Sequence, residues 1–471
     1  MKLLPYYVGL SMLGAGYSGP AIFGQDSNSN TSNEALLKRI EELEQQIKVV
    51  NRRDELSEEA ATEKAKSAVS VSAGAGGFQI RSADTNFVLK IRGYLQADSR
   101  WFVDDEGTGS TVNDAFLLRR VRPIFEGTVY DKFDYRLMLD FGSGVTANNA
   151  NNAYVQDAYV NARLWPQLQI QAGKFKEPVG LERLQSGANL LFVERAYPTQ
   201  LLPNRDVGLQ LHGDVGNGLL NYAVGIFNGV ADGGSGDIDR TDDEKDVAAR
   251  IFAHPFKNTE IEALQGLGIG VAGTYGNQQG TPRGYVTPGQ QNFFSYFSGT
   301  GTNSNTMADG TVWRISPQFY WYWRSLGVLG EYAISSTEVA RTGGGLARTE
   351  DELQHTAWQI AASYFLTGED NSFKAVTPLK PFTLGGEGWG ALEVAARVSQ
   401  LKLDDDTFPI FASAGTNARE ALTYSFGLNW HLNRNVKINL NYEHTDFDGG
   451  DNNELLANGE DVIMTRAQIS F

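Results

Sequence analysis

The chain of 471 residues contains no cysteine and only five histidines. Without cysteine the protein has no disulfide, no thiolate metal site and no cysteine nucleophile, which is compatible with an oxidising compartment. None of the histidines lies in a motif with a serine and a carboxylate, and no glycine-rich loop leads from a strand pattern into a helix pattern. The sequence therefore argues against an enzyme, and we expect no cofactor, no metal and no nucleic-acid partner.

Long apolar runs are also absent. After residue 24 no segment is apolar and uncharged for the roughly eighteen residues that a transmembrane helix needs. Residues 1–24 place Lys2 before an apolar run rich in small residues and end at Gly24, ahead of a polar stretch. This pattern predicts a signal peptide, and Pro5, Pro20 and five glycines in the run argue against a membrane anchor.

Strict alternation of apolar and polar residues recurs along the chain, most clearly at its end. Residues 462–471 divide into two faces, one with Ile463, Thr465, Ala467, Ile469 and Phe471, the other with Met464, Arg466, Gln468 and Ser470. Residues 424–432 and 436–443 repeat the pattern. A period of two indicates strands, and strands that are apolar on one face and wet on the other are typical of an outer-membrane β-barrel.

The length of residues 78–471 predicts the size of this barrel. At about ten residues per strand, with short turns and long loops, it accommodates roughly sixteen antiparallel strands. In residues 312–324, Trp313, Phe319, Trp321 and Trp323 share the outward parity, as an aromatic belt requires. Three insertions rich in Gly, Ser, Asn and Thr are predicted to be external loops: 231–246, 276–310 and 337–354. The prediction is an all-β protein in the outer membrane of a Gram-negative-type bacterium.

Residues 25–66 are predicted to be a polar stretch followed by a short coiled-coil helix. Leu36, Ile40, Leu43, Ile47 and Val50 are spaced as a heptad seam, and residues 67–77 form a linker of small residues before the predicted barrel at 78–471. Such a short seam is marginal alone, so a parallel bundle of three copies would suit a trimeric barrel. The alternatives are a solvated helix that does not self-associate and a helix that tethers an anchoring barrel.

The net charge of −16 conceals an uneven distribution. The acids cluster in segments that read as loops, whereas strand parity places more bases than acids inside the barrel. The inward bases include Arg92, Arg120, Arg122, Arg136, Arg163, Arg314 and Arg397. An arginine-lined pore favours anions, and guanidinium groups suit phosphate oxygens. The alternative is that these arginines pair with inward acids and stiffen the wall of a general porin.

Five segments of the chain carry a resemblance to a known family. They are GKFKEPVGLERLQS at 173–186, FVERAYP at 192–198, LPNRDVG at 202–208, TAWQIAASYFLTGED at 356–370 and GWGALEVAARVSQLKLD at 388–404. They resemble the phosphate-selective porin O and P family over most of residues 78–471. The resemblance implies a homotrimer of sixteen-stranded barrels in outer-membrane lipid, each passing small anions such as phosphate, polyphosphate and chloride along a basic ladder to a lysine-containing site in an infolded loop.

The resemblance also implies particular site residues. Arg119 and Arg120 match the paired arginines of the family's ladder, while Lys174 and Lys176 lie in the motif that enters the constriction loop. Strict alternation instead points Arg119 and Lys174 towards lipid, where a charge at mid-bilayer costs about 2–4 kcal/mol. A β-bulge or a strand end would turn either inward. Because the family's loop lysines are not recognisable in this chain, a general porin remains the second hypothesis.

Overall fold

The computed structural model describes residues 29–66, 68–103, 112–142, 153–237, 243–298, 305–343 and 346–471. The predicted signal peptide at 1–24 lies outside these residues. The chain divides between Ala68 and Val69 into two compact units.

The N-terminal unit contains one long helix, α1 (Ser29–Lys66). Its 38 residues extend over about 57 Å at 1.5 Å per residue, beyond the end of the heptad spacing. The five seam residues are all exposed, from 45% for Leu43 to 58% for Ile47. Arg52 and Glu55 form an ion pair one turn apart at 2.9 Å. Among the described residues, no helix combines the length and apolar character needed to cross a membrane.

The described part of the C-terminal unit is dominated by one antiparallel sheet. Sixteen of its strands, β3 to β11 and β14 to β20, pair in a closed ring, as the sequence predicts. The strands are β1 (Ser70–Gly74), β2 (Gly77–Arg81), β3 (Phe87–Val103), β4 (Ala115–Val129), β5 (Phe133–Asp140), β6 (Tyr154–Trp165), β7 (Leu168–Lys176), β8 (Arg205–Val215), β9 (Leu220–Phe227), β10 (Asp246–Ala253), β11 (Leu267–Gly280), β12 (Tyr285–Val286), β13 (Asn292–Phe294), β14 (Asn305–Trp323), β15 (Leu326–Gly343), β16 (Leu346–Phe365), β17 (Ala391–Lys402), β18 (Glu420–His431), β19 (Val436–Asp448) and β20 (Glu460–Ser470).

The ring closes where β20 pairs with β3. The register runs from Ser470 opposite Tyr94 to Asp461 opposite Val103. Beyond it, Gly93 and Phe471 exchange both backbone hydrogen bonds, at 3.0 and 2.9 Å. Closure leaves the ring of sixteen strands without an edge, which a lipid-exposed sheet requires because hydrocarbon cannot satisfy backbone N–H and C=O groups.

A small hairpin of β1 and β2 extends the wall beyond the end of β20. β2 pairs with β3 from Phe78 opposite Ile91, and the ring of Phe78 packs edge-on against Phe471 at 6.3 Å. The predicted linker at 67–77 therefore contains strand β1. Its small residues are typical of linkers, but a ladder of backbone hydrogen bonds does not depend on large side chains.

Along each strand, alternate side chains face the inside and the outside of the barrel, as the sequence predicts. On β20, Met464 and Arg466 are buried inside the barrel, whereas Ile463 and Ile469 are 37% and 49% exposed on the outer surface. The outward side chains therefore form the apolar surface that lipid covers.

The barrel has a turn end, where β3 begins and β20 ends, and a loop end opposite. Short connections such as 166–167 and 324–325 lie at the turn end. Residues 337–343 and 346–354 of the predicted loop at 337–354 are strand, because β15 and β16 pair from Leu326 opposite Tyr364 to Gly343 opposite Leu346. The glycine and threonine content suggested a loop, but pairing keeps both strands extended.

Several loops fold into the barrel and form an apolar core there. The connection 177–204 carries helices α2 (Leu181–Leu184) and α3 (Pro198–Leu201), and α4 (Glu454–Asn458) precedes β20. The buried rings of Tyr197 and Phe293 meet at 5.9 Å between separate infolded segments. The insertion at 276–310, predicted as external, thus folds partly inward through β12 and β13. This packing narrows the lumen.

Candidate functional site

The connection 177–204, called here the constriction loop, crosses the lumen. It leaves the wall at β7, yet the backbone N–H of Tyr197 donates to Ser399 Oγ at 3.2 Å, and Ser399 lies on β17, halfway round the ring. Val193 N–H donates to Asn441 Oδ1 on β19 at 2.7 Å. At the start of α2, Leu181 N–H donates to Glu331 on β15 at 2.6 Å. Side chains of the far wall therefore fix the loop across the pore.

The Glu194 carboxylate of this loop is surrounded by arginines of the barrel wall. Arg119 donates to both carboxylate oxygens, from Nε at 2.6 Å and from Nη2 at 3.1 Å, and Arg100 donates to Oε1 at 3.0 Å. Arg120 and Arg466 place a guanidinium nitrogen 3.8 and 3.7 Å away. These five residues are called the Glu194 cluster.

The Glu194 cluster retains a positive charge. Arg466 also binds Asp98 through two hydrogen bonds of 2.7 Å, so two carboxylates face four guanidinium groups. Burial alone would raise the pKa of Glu194, but the charges of Arg119, Arg120 and Arg100 outweigh it and hold that pKa well below its usual value. Glu194 is therefore ionised at neutral pH and acts as a fixed anion among these arginines.

A β-bulge explains how Arg119 reaches Glu194. In the register of β3 with β4, Gln96 lies opposite Arg120 and Ala97 opposite Leu118, which leaves Arg119 as the extra residue. A bulge re-aims the side chain at that point of the strand. Arg119 and Arg120 therefore both point into the lumen, and the lipid-facing orientation expected from strict alternation is wrong for Arg119.

Beside the Glu194 cluster lies a cavity of about 180 Å³, called here the arginine cavity. Its charged lining comprises Arg119, Arg120, Arg183, Arg195 and Arg283 with Glu194 and Asp232. Five guanidinium groups against two carboxylates make it strongly positive, and the backbone of the constriction loop forms one side.

Two arginines of this cavity are held by carbonyl groups of the loop. Arg195 donates to the carbonyl oxygens of Glu182 and Gln185 at 3.1 and 2.9 Å, and Arg183 donates to that of Thr199. The Nε of Arg183 is buried and has no hydrogen-bond partner within the described ranges. A buried donor without a partner costs free energy, so an anion at this position would be stabilised.

Burial and repulsion from neighbouring charges lower the pKa of both Arg183 and Arg195. Burial and the neighbouring charges of Arg195 and Arg205 lower the pKa of Arg183 to about 9. Burial lowers the pKa of Arg195 to about 10, although Glu182 opposes the shift. Both remain protonated at neutral pH, and an incoming anion would relieve the repulsion between them.

A second cavity, of about 330 Å³, lies along the wall from β3 to β8 and is called the wall cavity. Arg136, Lys176 and Arg205 line it together with Asp157. Arg205 and Arg136 bind the two oxygens of Asp157 at 2.7 and 3.1 Å. Lys176 instead donates to the carbonyl oxygens of Leu184 and Gln185, at 3.3 and 2.9 Å.

The remaining arginines predicted to line the pore are mostly ion-paired. Arg122 binds Asp140 and Tyr94, each at 2.7 Å, and Arg136 bridges Asp157 and Glu126. Arg92 and Arg163 are exposed near the turn end, where they pair with Glu126 and Asp134 at 2.9 and 2.8 Å. These pairs fix charges along the wall but reduce the net field they produce.

Arg314, Arg397 and Lys174 do not line either of the two cavities. Arg314 is buried against Asp232 at 2.7 Å, and Arg397 is buried against Glu443 at 3.3 Å, with its guanidinium over the ring of Phe192. They hold loops in place. Lys174 pairs with Asp237 in the connection between β9 and β10, on the face of β7 that strict alternation predicts.

Sequence reasoning missed several residues of the arginine cavity. Arg183, Arg195 and Glu194 lie in the quoted motifs LERLQS and FVERAYP, but residues of a loop have no parity that could place them in the lumen. Arg283 lies in an insertion predicted to be external. The available signal was the single arginine that each of these two motifs contains.

Comparison with known proteins shows the family of this chain. The family described as Phosphate-selective porin O and P matches residues 89–471. The chain belongs to this family. Porin O of Pseudomonas aeruginosa is 24% identical over 426 residues, covering 84% of this chain and 91% of that protein. The chain is thus an outer-membrane porin for anions, a channel and not an enzyme.

The fold is shared with a solved structure whose TM-score is above 0.5. The outer membrane channel DcaP of Acinetobacter baumannii has 10% sequence identity and a TM-score of 0.53, with 84% of this chain and all of that chain covered. An anion-selective porin from Comamonas acidovorans has 11% identity and a TM-score of 0.47, with 82% of this chain and all of that one covered.

Glu194→Gln should make the porin more anion-selective and less stable. The substitution removes one negative charge from the Glu194 cluster, and breaking a buried ion pair costs about 3 kcal/mol. We expect a larger reversal potential in the anion direction under a KCl gradient and a lower temperature of barrel unfolding in electrophoresis. Glu260→Gln, at an exposed position of the turn end, is the control and should change neither. An unchanged reversal potential in Glu194→Gln would contradict this assignment.

Arg119→Ala and Lys174→Ala should differ in their effect on current. Arg119 contributes a lumenal charge through the bulge, whereas Lys174 lines neither cavity and pairs with Asp237. Single-channel recording in chloride should show reduced conductance for Arg119→Ala and wild-type conductance for Lys174→Ala. Equal losses in both variants would mean that Lys174 also faces the ion path.

Proposed function

We propose that the porin favours phosphate, and polyphosphate built from the same group, over other small anions. The observation that carries this proposal is the arginine cavity, in which Arg183 and Arg195 are held only through loop carbonyls and the Nε of Arg183 has no partner within the described ranges. Guanidinium groups present paired donors that match phosphate oxygens, whereas chloride cannot use that geometry.

The route along the wall supports diffusion rather than trapping. From the loop end towards the turn end, β4 presents Arg119 and Arg120, then Arg122, and β5 presents Arg136. Each acid beside them weakens the local attraction. Conduction requires such a series of moderate sites, because one very tight site would hold the ion.

A general porin is the second candidate function, and the ion pairs favour it. Arg122, Arg136, Arg314 and Arg397 each have a carboxylate partner. A wall dominated by such pairs would conduct chloride without recognising phosphate.

Phosphate should block chloride current through the wild-type pore, and Arg183→Ala should weaken the block. Loss of a charge-assisted hydrogen bond costs about 1.5–3 kcal/mol, so we expect roughly a tenfold or greater rise in the half-blocking phosphate concentration. Arg163→Ala, an exposed and ion-paired position at the turn end, is the control. Chloride selectivity without phosphate block would support the general porin.

We also propose that the protein is a homotrimer in which the barrels supply most of the contact. The outward apolar side chains offer a broad surface, and the exposed seam of α1 would become buried where copies meet. The helix adds a smaller contact.

Deleting residues 29–66 should leave a trimer with wild-type conductance, because the pore residues identified here lie in the other unit. Cross-linking in detergent and single-channel recording measure both properties. A variant that has Leu36, Ile40 and Leu43 changed to Ser is the control that keeps the helix length. If either protein becomes monomeric while the intact chain is trimeric, the helix is the main assembly contact.

A further inference from the structure

The longest described connection at the turn end, residues 366–390 between β16 and β17, has two parts with different surroundings. Its first part enters the lumen: Gln185 of the constriction loop donates to the carbonyl oxygen of Phe373 at 3.0 Å, and the Phe373 ring stacks on Tyr320 at 5.3 Å. Asn371 donates to Ser363 Oγ at 2.8 Å. These contacts anchor the connection from inside the barrel.

The second part, residues 379–390, crosses the rim and is called the rim segment. Phe382 N–H donates to the carbonyl oxygen of Leu432 at 2.6 Å, and the Phe382 ring packs edge-on against Trp430 at 5.3 Å. Trp430 Nε1 in turn donates to the carbonyl oxygen of Trp389 at 2.7 Å. The rim segment is therefore fixed to Trp430, close to the turn-end limit of β18.

Trp430 belongs to the outer, apolar face of the barrel. On β18 it shares parity with Phe426 and Leu428, which are 59% and 39% exposed on that surface. The rim segment thus continues the lipid-facing surface at the turn end.

The rim segment exposes large apolar side chains that nothing in its own fold covers. Leu384 is 94% exposed, Trp389 75% and Leu379 70%. A tight turn, in which Thr383 N–H donates to the Gly388 carbonyl oxygen at 3.0 Å, presents Leu384 at its tip. Lys380 is exposed beside them. An exposed cluster of this kind marks an interaction surface.

We propose that the rim segment is an interfacial anchor that inserts Leu384 and Trp389 into the phospholipid leaflet at the turn end, with Lys380 at the lipid phosphates. Porin barrels place their short turns on the periplasmic side, so this is the inner leaflet of the outer membrane. Tryptophan is favoured at the boundary between headgroup and acyl chain, and lysine is attracted to anionic headgroups. Continuity with the Trp430 face identifies lipid as the occupant.

The absence of cysteine in the chain allows a direct test. Leu384→Cys and Trp389→Cys would each carry a nitroxide label in the full-length protein, reconstituted into vesicles of phosphatidylethanolamine and phosphatidylglycerol. Lys132→Cys, exposed in the turn between β4 and β5 at the same end, is the matched control. Both rim positions are exposed, and wild-type conductance would verify that each labelled barrel is folded.

Labels at 384 and 389 should collide more with dissolved oxygen than with a water-soluble nickel chelate, and the label at 132 should show the reverse preference. Equal accessibility of all three positions to the nickel chelate would overturn the proposal. Spin–spin broadening at 384 that disappears on dilution with unlabelled protein would also overturn it, because the occupant would then be a second copy of this chain.

Discussion

The carboxylate of Glu194 is buried among four guanidinium groups of the barrel wall, and the shape of the lumen depends on this contact. A buried carboxylate must be paired, and buried arginines must find acceptors. The constriction loop supplies the acceptor, while β3, β4 and β20 supply the donors. The contact ties the loop to β3, β4 and β20, while its hydrogen bonds tie it to β15, β17 and β19. Together these attachments fix the width of the remaining path.

A chain of net negative charge can have a positively charged lumen because its acidic and basic residues lie in different places. Exposed acids such as Glu350, Asp351 and Asp406 lie towards the loop end, in contact with water. Lumenal strands and the constriction loop carry the arginines. Net charge therefore says little about the ion that passes, whereas the local excess of guanidinium groups around one cavity controls the field there.

Sequence periodicity predicts the strands and their faces because each strand has one side towards lipid and one towards the lumen. This alternation imposes a period of two on every strand of the wall. The alternation in 436–443 and 462–471 corresponds to β19 and β20. It cannot predict the bulge at Arg119, since a bulge is a property of the pairing between two strands. The strand structure of 337–354 was missed for a related reason: composition records turn-forming residues, but hydrogen bonding to a partner strand overrides them.

The constriction loop is only partly predictable. Its entry motif identifies where the chain leaves the wall, and the family resemblance implies that it folds inward. The roles of Arg183 and Arg195 depend on carbonyl groups brought together by tertiary packing, which no local spacing records. For Lys174 the two kinds of sequence evidence disagree. Strict alternation predicts the face of β7 on which it lies, whereas the family motif suggests a role in the lumen.

The pairing of β20 with β3 also has a consequence for biogenesis. These strands lie at opposite ends of the barrel sequence, so their pairing joins the most distant residues of the barrel, and such non-local pairing is slow. Until β20 docks, the sheet has two open edges, each with backbone groups that hydrocarbon cannot satisfy. An incomplete ring is therefore unstable in the bilayer, and closure must accompany insertion. Truncation within β20 would remove this step for the whole barrel, whereas loss of a loop tip would leave it intact.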